Sequence, residues 1–108
     1  MTKKPIAITG MGIVSAIGMN VSENEKSLLE SRHGIRKYSV SDPLIHHEKL
    51  VGEILLSNDE LYQELELNPK EAFTRSTLLG LKAAKEAYKT AKLNPNDGKK
   101  TGFISATT

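Results

Sequence analysis

Residues 5–18 read PIAITGMGIVSAIG, and the glycines at Gly10, Gly12 and Gly18 constrain this chain more than any other feature. Just ahead of them, Ile6 to Thr9 is short, apolar and rich in strand formers, bounded by Pro5 and Gly10, which predicts a buried strand. Glycine directly after a strand marks a sharp turn or a close backbone approach. A dinucleotide cradle needs Gly-x-Gly-x-x-Gly, a helix starting inside the loop, and an acidic residue about twenty positions on. Here Gly10-x-Gly12-x-x-Ser15 places serine where the third glycine should let helix and strand pack closely. The next helix signal waits until Ser22, and no Gly-Lys-Ser/Thr follows to make a Walker loop. A small nucleotide-binding protein using Gly10 and Gly12 is therefore the lesser alternative.

Bulk properties exclude several classes. The 108 residues give room for one domain, and 38% hydrophobic with 26% charged residues is ordinary for a globular protein. A net charge of +2, with lysines scattered along Lys82, Lys85, Lys89 and Lys92, gives no concentrated basic face, so no nucleic-acid partner is expected. The chain has no cysteine: no disulfide, no thiolate metal site and no thiol nucleophile. Lys3-Lys4 followed by an uncharged run imitates a signal peptide poorly, because Thr9, Gly10, Gly12, Ser15, Gly18 and Asn20 interrupt it. The expected location is cytoplasmic, which leaves the glycosylation match Asn20-Val21-Ser22 without weight. No run of about twenty apolar residues exists to span a membrane, and no membrane partner is expected.

Beyond the glycines, Ser22-Glu23-Asn24-Glu25 has the pattern of a capping box. It predicts a helix from about Glu23 to His33, with Gly34 as its left-handed cap and Leu28 and Leu29 as its main buried contacts. Ile35 to Leu50 has no clear period and contains the turn residues Ser41-Asp42-Pro43. Leu50 to Leu55 is expected as a strand, with Gly52 marking a bulge or close approach. Ser57-Asn58-Asp59-Glu60 opens a short helix to about Glu66. Asn68 as N-cap, Pro69 at the first helical position and Glu71 in the first turn predict a long helix from Asn68 to Leu93. Its buried face is expected to be Thr77, Gly80, Leu81, Ala84 and Tyr88. Gly80, Ala83 and Ala87 would let another backbone pack closely, with Lys82, Lys85 and Lys89 in water. Asn94-Pro95 stops the helix, Asn96-Asp97-Gly98 turns, and Thr101 to Thr108 reads as a final strand. Strands alternating with helices point to an α/β class with a mixed or parallel sheet and covering helices. Two or three strands have too few partners for such a sheet, so the sequence reads as part of a larger domain.

Residue chemistry gives no complete active site. His46 and His47 are adjacent and lack zinc spacing, so a solvated loop is the reading there, and His33 complements a helix dipole. Ser15 and Ser105 lie near glycines without a Gly-x-Ser-x-Gly elbow, and Glu64 with Glu66 reads as a solvated helix edge. No metal site and no cofactor site is expected, and no residue of this chain is assigned as catalytic.

The order of short motifs nonetheless resembles the amino terminus of the β-ketoacyl-(acyl carrier protein) synthases, the elongating condensing enzymes. Thr9, Gly10, Gly12, Ser15 and Gly18 match the family's Thr-Gly-apolar-Gly, serine and second glycine in order. His33-Gly34-Ile35 is similar to its Ser-Gly-Ile, and Val51-Gly52-Glu53-Ile54 to its Ala-Gly-Glu strand. Ala83-Ala84-Lys85-Glu86-Ala87 with Ala91-x-Leu93, and Thr101-Gly102-Phe103-Ile104-Ser105, resemble its alanine-rich helix and the strand after it.

The resemblance implies a thiolase-like α/β fold, with residues 1–108 the N-terminal portion of the synthase N-terminal domain, most of the first α/β half. It makes Gly10, Gly12 and Gly18 a structural turn. It implies an acyltransferase that joins an acyl thioester to malonyl-acyl carrier protein in fatty acid or polyketide biosynthesis, working as a homodimer. The family's cysteine and two histidines lie downstream of the position of Thr108, so this segment alone is expected to be inactive. A non-catalytic partner subunit is the first alternative. Where the family carries basic residues for the carrier protein, Lys70 and Arg75 are the nearest positive charges.

Overall fold

The computed structural model describes residues 2–38 and 49–107. Ser41-Asp42-Pro43, His46, His47 and Thr108 lie outside the described residues.

Helix α1 spans Val21–Leu29. Its cap is Asn20 rather than Ser22: the Asn20 side chain accepts the Glu23 N–H at 2.9 Å, and Glu23 reaches back to the Met19 N–H at 2.7 Å. Asparagine is at least as good a cap as serine, so the earlier site wins. The helix also ends early. Ser31 takes the left-handed position at φ 53°, and the Arg32 N–H reaches the Ser27 carbonyl at 2.8 Å, closing a Schellman turn. Gly34 instead lets two backbones meet, since a Cβ there would lie 2.5 Å from the Ala16 carbonyl oxygen. The buried face of α1 is polar, Asn24 and Ser27, whereas Leu28 and Leu29 are 68% and 80% exposed, contrary to expectation.

Strands β1 (Ile35–Lys37) and β2 (Leu50–Gly52) pair antiparallel, Ile35 opposite Gly52 and Lys37 opposite Leu50. The Tyr38 N–H to Lys49 carbonyl bond, 3.0 Å, extends the ladder. The strand expected over Leu50 to Leu55 is thus only three residues long, and its partner lies in a stretch read as aperiodic. Three residues are too few to display an alternation of period two. The expected strands at Ile6 to Thr9 and from Thr101 onward are not in any sheet among the described residues, and Ile6 and Ile104 are 99% and 98% exposed. A strand forms only where a neighbouring strand bonds its amides and carbonyls in a ladder, and among the described residues the one such ladder is that of β1 with β2.

Helix α2, Asn58–Leu65, starts with the expected capping box, Ser57 and Glu60 satisfying each other's backbone N–H. Helix α3 covers Arg75–Thr90, much shorter than Asn68 to Leu93. The preceding amides are satisfied in other ways. The Asn68 side chain accepts the Lys70 N–H at 3.0 Å and its carbonyl accepts that of Glu71. The Tyr62 hydroxyl accepts the Phe73 N–H at 3.0 Å while donating to the Glu71 carbonyl. Thr74 then caps α3 by accepting the Thr77 N–H at 3.2 Å.

Leu61 of α2 and Leu78 of α3 are fully buried where the two helices pack. The covered side of α3 runs through Leu78, Lys82, Ala83, Glu86 and Ala87, while Thr77, Gly80, Leu81 and Tyr88 are exposed. Ala84 is half-buried. At about 100° per residue, the covered face lies on nearly the opposite side of the helix from the one expected, because α2 and the glycine segment cover the helix instead of a sheet. Lys82 pairs with Glu64, and the Lys85 ammonium donates to the Glu64 carbonyl at 3.0 Å, so neither points freely into water.

Candidate functional site

The glycine segment forms a strap lying against the backbone of α3. A Cβ on Gly10 would sit 2.2 Å from the Ala87 carbonyl oxygen, and one on Gly12 only 1.8 Å from that of Ala83. Real Cβ atoms do not approach so closely, so these two positions accept only glycine without the strap moving. Ala83 and Ala87 are the small residues on the helix side. Gly80 plays no such part, with nothing within 4 Å of its Cβ position.

Side chains of α3 bind the strap's amides. The Thr90 hydroxyl oxygen accepts the Met11 N–H at 3.3 Å. The Glu86 carboxylate accepts the Ile13 N–H at 3.1 Å through one oxygen and the Val21 N–H, at the start of α1, at 2.9 Å through the other. Beyond the strap, Ser15 and Gly18 exchange backbone bonds of 2.9 and 3.3 Å in a tight turn. That turn rests on α1. The Asn24 amide donates to the Gly18 and Asn20 carbonyls at 2.9 and 2.8 Å, and the Ser27 hydroxyl donates to the Ile17 carbonyl at 2.7 Å. A Cβ on Gly18 would meet the Asn24 backbone nitrogen at 2.6 Å.

This geometry opposes a phosphate cradle. A nucleotide phosphate would need free amides at the glycine loop and the helix start. Here the amides of Met11, Ile13, Met19 and Val21 already face protein oxygens, those of the last three belonging to carboxylates. Ser15 is equally committed: its hydroxyl donates to the Asn24 side-chain oxygen and accepts the Ile17 N–H at 3.2 Å. Asn24 is no base, so nothing activates this serine as a nucleophile. Ser105 is exposed in an extended segment. Among the described residues no three His, Cys, Asp or Glu side chains gather as a metal site.

Arg75 is held in place at the start of α3, its guanidinium donating to the Ile54 and Leu56 carbonyls at 2.7 and 2.8 Å and to the Asn58 side chain at 2.8 Å. Lys70 is exposed in the loop before it. Glu64 and Glu66 face lysines of α3. His33 is exposed beyond the end of α1. An open apolar groove of about 720 Å³ lies between strap and α1, lined by Met11, Ile13, Val21, Leu28 and Leu29.

Sequence reasoning missed Glu86, Thr90, Asn24 and Ser27 as the residues that organise the strap. The helical spacing puts Glu86 on the lysine-bearing side of the helix. The available signal is its place between Ala83 and Ala87, a charge set within a small-residue face.

Helices packed with a glycine strap, and only a two-stranded antiparallel sheet among the described residues, define a partial α/β unit. The chain belongs to the family described as Beta-ketoacyl synthase, N-terminal domain, whose sequence profile matches residues 3–108. It is 33% identical over 94 residues to 3-oxoacyl-[acyl-carrier-protein] synthase 2 of Staphylococcus aureus strain N315, covering 87% of this chain and 22% of that protein. The same enzyme of strain COL is 32% identical over the same shares. The chain therefore spans about a fifth of the length of these relatives. No solved structure matches it significantly. Membership implies the thiolase-like fold, with which three helices and a two-stranded sheet are compatible.

Proposed function

We propose that residues 1–108 are the N-terminal portion of a condensing enzyme acting in fatty acid or polyketide biosynthesis. The complete protein joins an acyl thioester to malonyl-acyl carrier protein with loss of carbon dioxide. The observation that carries this reading is the family match across residues 3–108, supported by relatives named for the same reaction class. Condensation needs a thiolate to accept the acyl group, because thioesters exchange readily onto sulfur while an unactivated hydroxyl attacks poorly. This chain has no cysteine, and Ser15 is bound to an amide rather than a base. The part played by these residues is accordingly structural: Gly10, Gly12 and Gly18 let the first segment turn and pack on α3 and α1.

The carrier protein is the proposed partner. Lys70 is the charge available to it on this surface, since the Arg75 guanidinium is bound to carbonyls of its own chain. A cytoplasmic homodimer is the proposed state of the complete protein.

Intact-mass spectrometry after incubation with an acyl thioester tests the assignment. The complete protein is expected to gain one acyl group and to decarboxylate malonyl-carrier protein, and the 108-residue chain to do neither. A complete protein that stays unacylated favours a non-catalytic partner subunit; a stoichiometric adduct on the 108 residues overturns the assignment of roles.

A further inference from the structure

The strap and α3 meet in an antiparallel order: Gly10 lies against Ala87, Met11 against Thr90, Gly12 against Ala83 and Ile13 against Glu86. Alternate residues of an extended segment are about 6.8 Å apart, and helix positions four apart rise about 6 Å. The two spacings match closely enough for Glu86 and Thr90 to bind the amides of Ile13 and Met11 as a neighbouring strand would. On the intervening positions the glycines face the carbonyls of Ala83 and Ala87. Sliding the strap two residues one way would put Ile8 where Gly10 sits, and two residues the other way would put Val14 where Gly12 sits. Either side chain would run into a helix carbonyl that already leaves no room for a Cβ.

We propose that Glu86 is the positioning residue of a register latch. Its carboxylate fixes the strap on α3 through Ile13 while holding the start of α1 through Val21, with Gly10 and Gly12 making that register the one that fits. The two oxygens face two different segments, so one side chain on α3 couples the strap to α1. No element other than α3 supplies a side-chain acceptor to the Ile13 or Val21 amide among the described residues.

Hydrogen–deuterium exchange on the complete protein, resolved to single amides, tests the latch. Glu86→Ala should speed exchange at both Ile13 and Val21 by about tenfold to a hundredfold, the worth of a hydrogen bond to a charged group. Exchange in α2 and in α3 around Leu78 should hardly change. Glu86→Gln, which keeps the shape but offers one oxygen, should speed only one of the two amides. Thr90→Val should affect Met11 and leave Val21 alone. Unchanged exchange at Ile13 and Val21 in Glu86→Ala overturns the proposal. So does an equal rise throughout the chain, which would make Glu86 a general stabiliser rather than a latch. Should Glu86→Ala fail to fold, the one-amide effect of Glu86→Gln decides.

Discussion

At the scale of single residues, the most direct links from sequence to structure are local caps. The Ser57 backbone N–H, and then its hydroxyl, donate to the Glu60 carboxylate and hold its pKa below the usual 4.5. A carboxylate whose folded pKa is depressed contributes above its unfolded pKa and loses that contribution as pH falls through the folded value. The start of α2 should therefore loosen only on acidification below the ordinary carboxylate range. Ser57→Ala removes the hydroxyl but keeps the backbone donor, so Glu60 should rise only part of the way toward 4.5 in an NMR titration, and the lost N-cap should cost about 1 kcal/mol. Tyr62 is less obvious in the sequence. Its hydroxyl accepts the Phe73 N–H and donates to the Glu71 carbonyl, and the two rings lie 6.2 Å apart. Tyr62→Phe should keep the ring contact but leave the Phe73 N–H only its longer bond to the Glu71 carbonyl, 3.2 Å, lowering stability in denaturant unfolding by about 0.5–1.5 kcal/mol, the net worth of one hydrogen bond.

At the scale of elements, the glycines separate into two kinds that composition cannot distinguish. Gly12 is pressed against the Ala83 carbonyl, and Gly80, inside α3, has open space around it. Gly12→Ala should displace the strap and destabilise by about 1–3 kcal/mol or more, as overpacking does. Gly80→Ala should stabilise by about 0.5–1 kcal/mol, the ordinary gain of alanine over glycine inside a helix. Thermal unfolding of both variants in the complete protein checks the contrast. A loss at Gly80 would show that another backbone packs there, as the spacing of Gly80, Ala83 and Ala87 suggests.

At the scale of the whole molecule, the chain exposes 9467 Å², against about 5,900 Å² for a compact monomer of 11.8 kDa. Its radius of gyration is 17.6 Å, where about 13 Å is usual for this length. Ile6, Ile8, Leu28, Leu29, Phe103 and Ile104 make up much of the exposed apolar surface. Exposed apolar surface recruits other chains. The isolated 108 residues are expected to self-associate or melt without a cooperative transition. Sedimentation of a monodisperse, compact monomer with a sharp melt would contradict that expectation.

Three kinds of feature were legible in the sequence alone: family membership through ordered motifs, the capping box of α2, and the small residues Ala83 and Ala87 where a backbone packs closely. Each depends on neighbours in the chain or on side-chain size, which sequence records directly. The tertiary structure decided the rest. The start of α3 moved from Asn68 to Thr74 because Tyr62, from another element, bonded the intervening backbone. The covered face of α3 turned because α2 and the strap, rather than a sheet, lay against it. Ile6 to Thr9 had the composition of a strand, but strand formation depends on a partner's hydrogen bonds, which no property of the segment itself can supply. Glu86 shows the same division most clearly: its helical spacing is a local fact, while the two amides that occupy its carboxylate come from residues 13 and 21, distant in sequence and adjacent only in the folded chain.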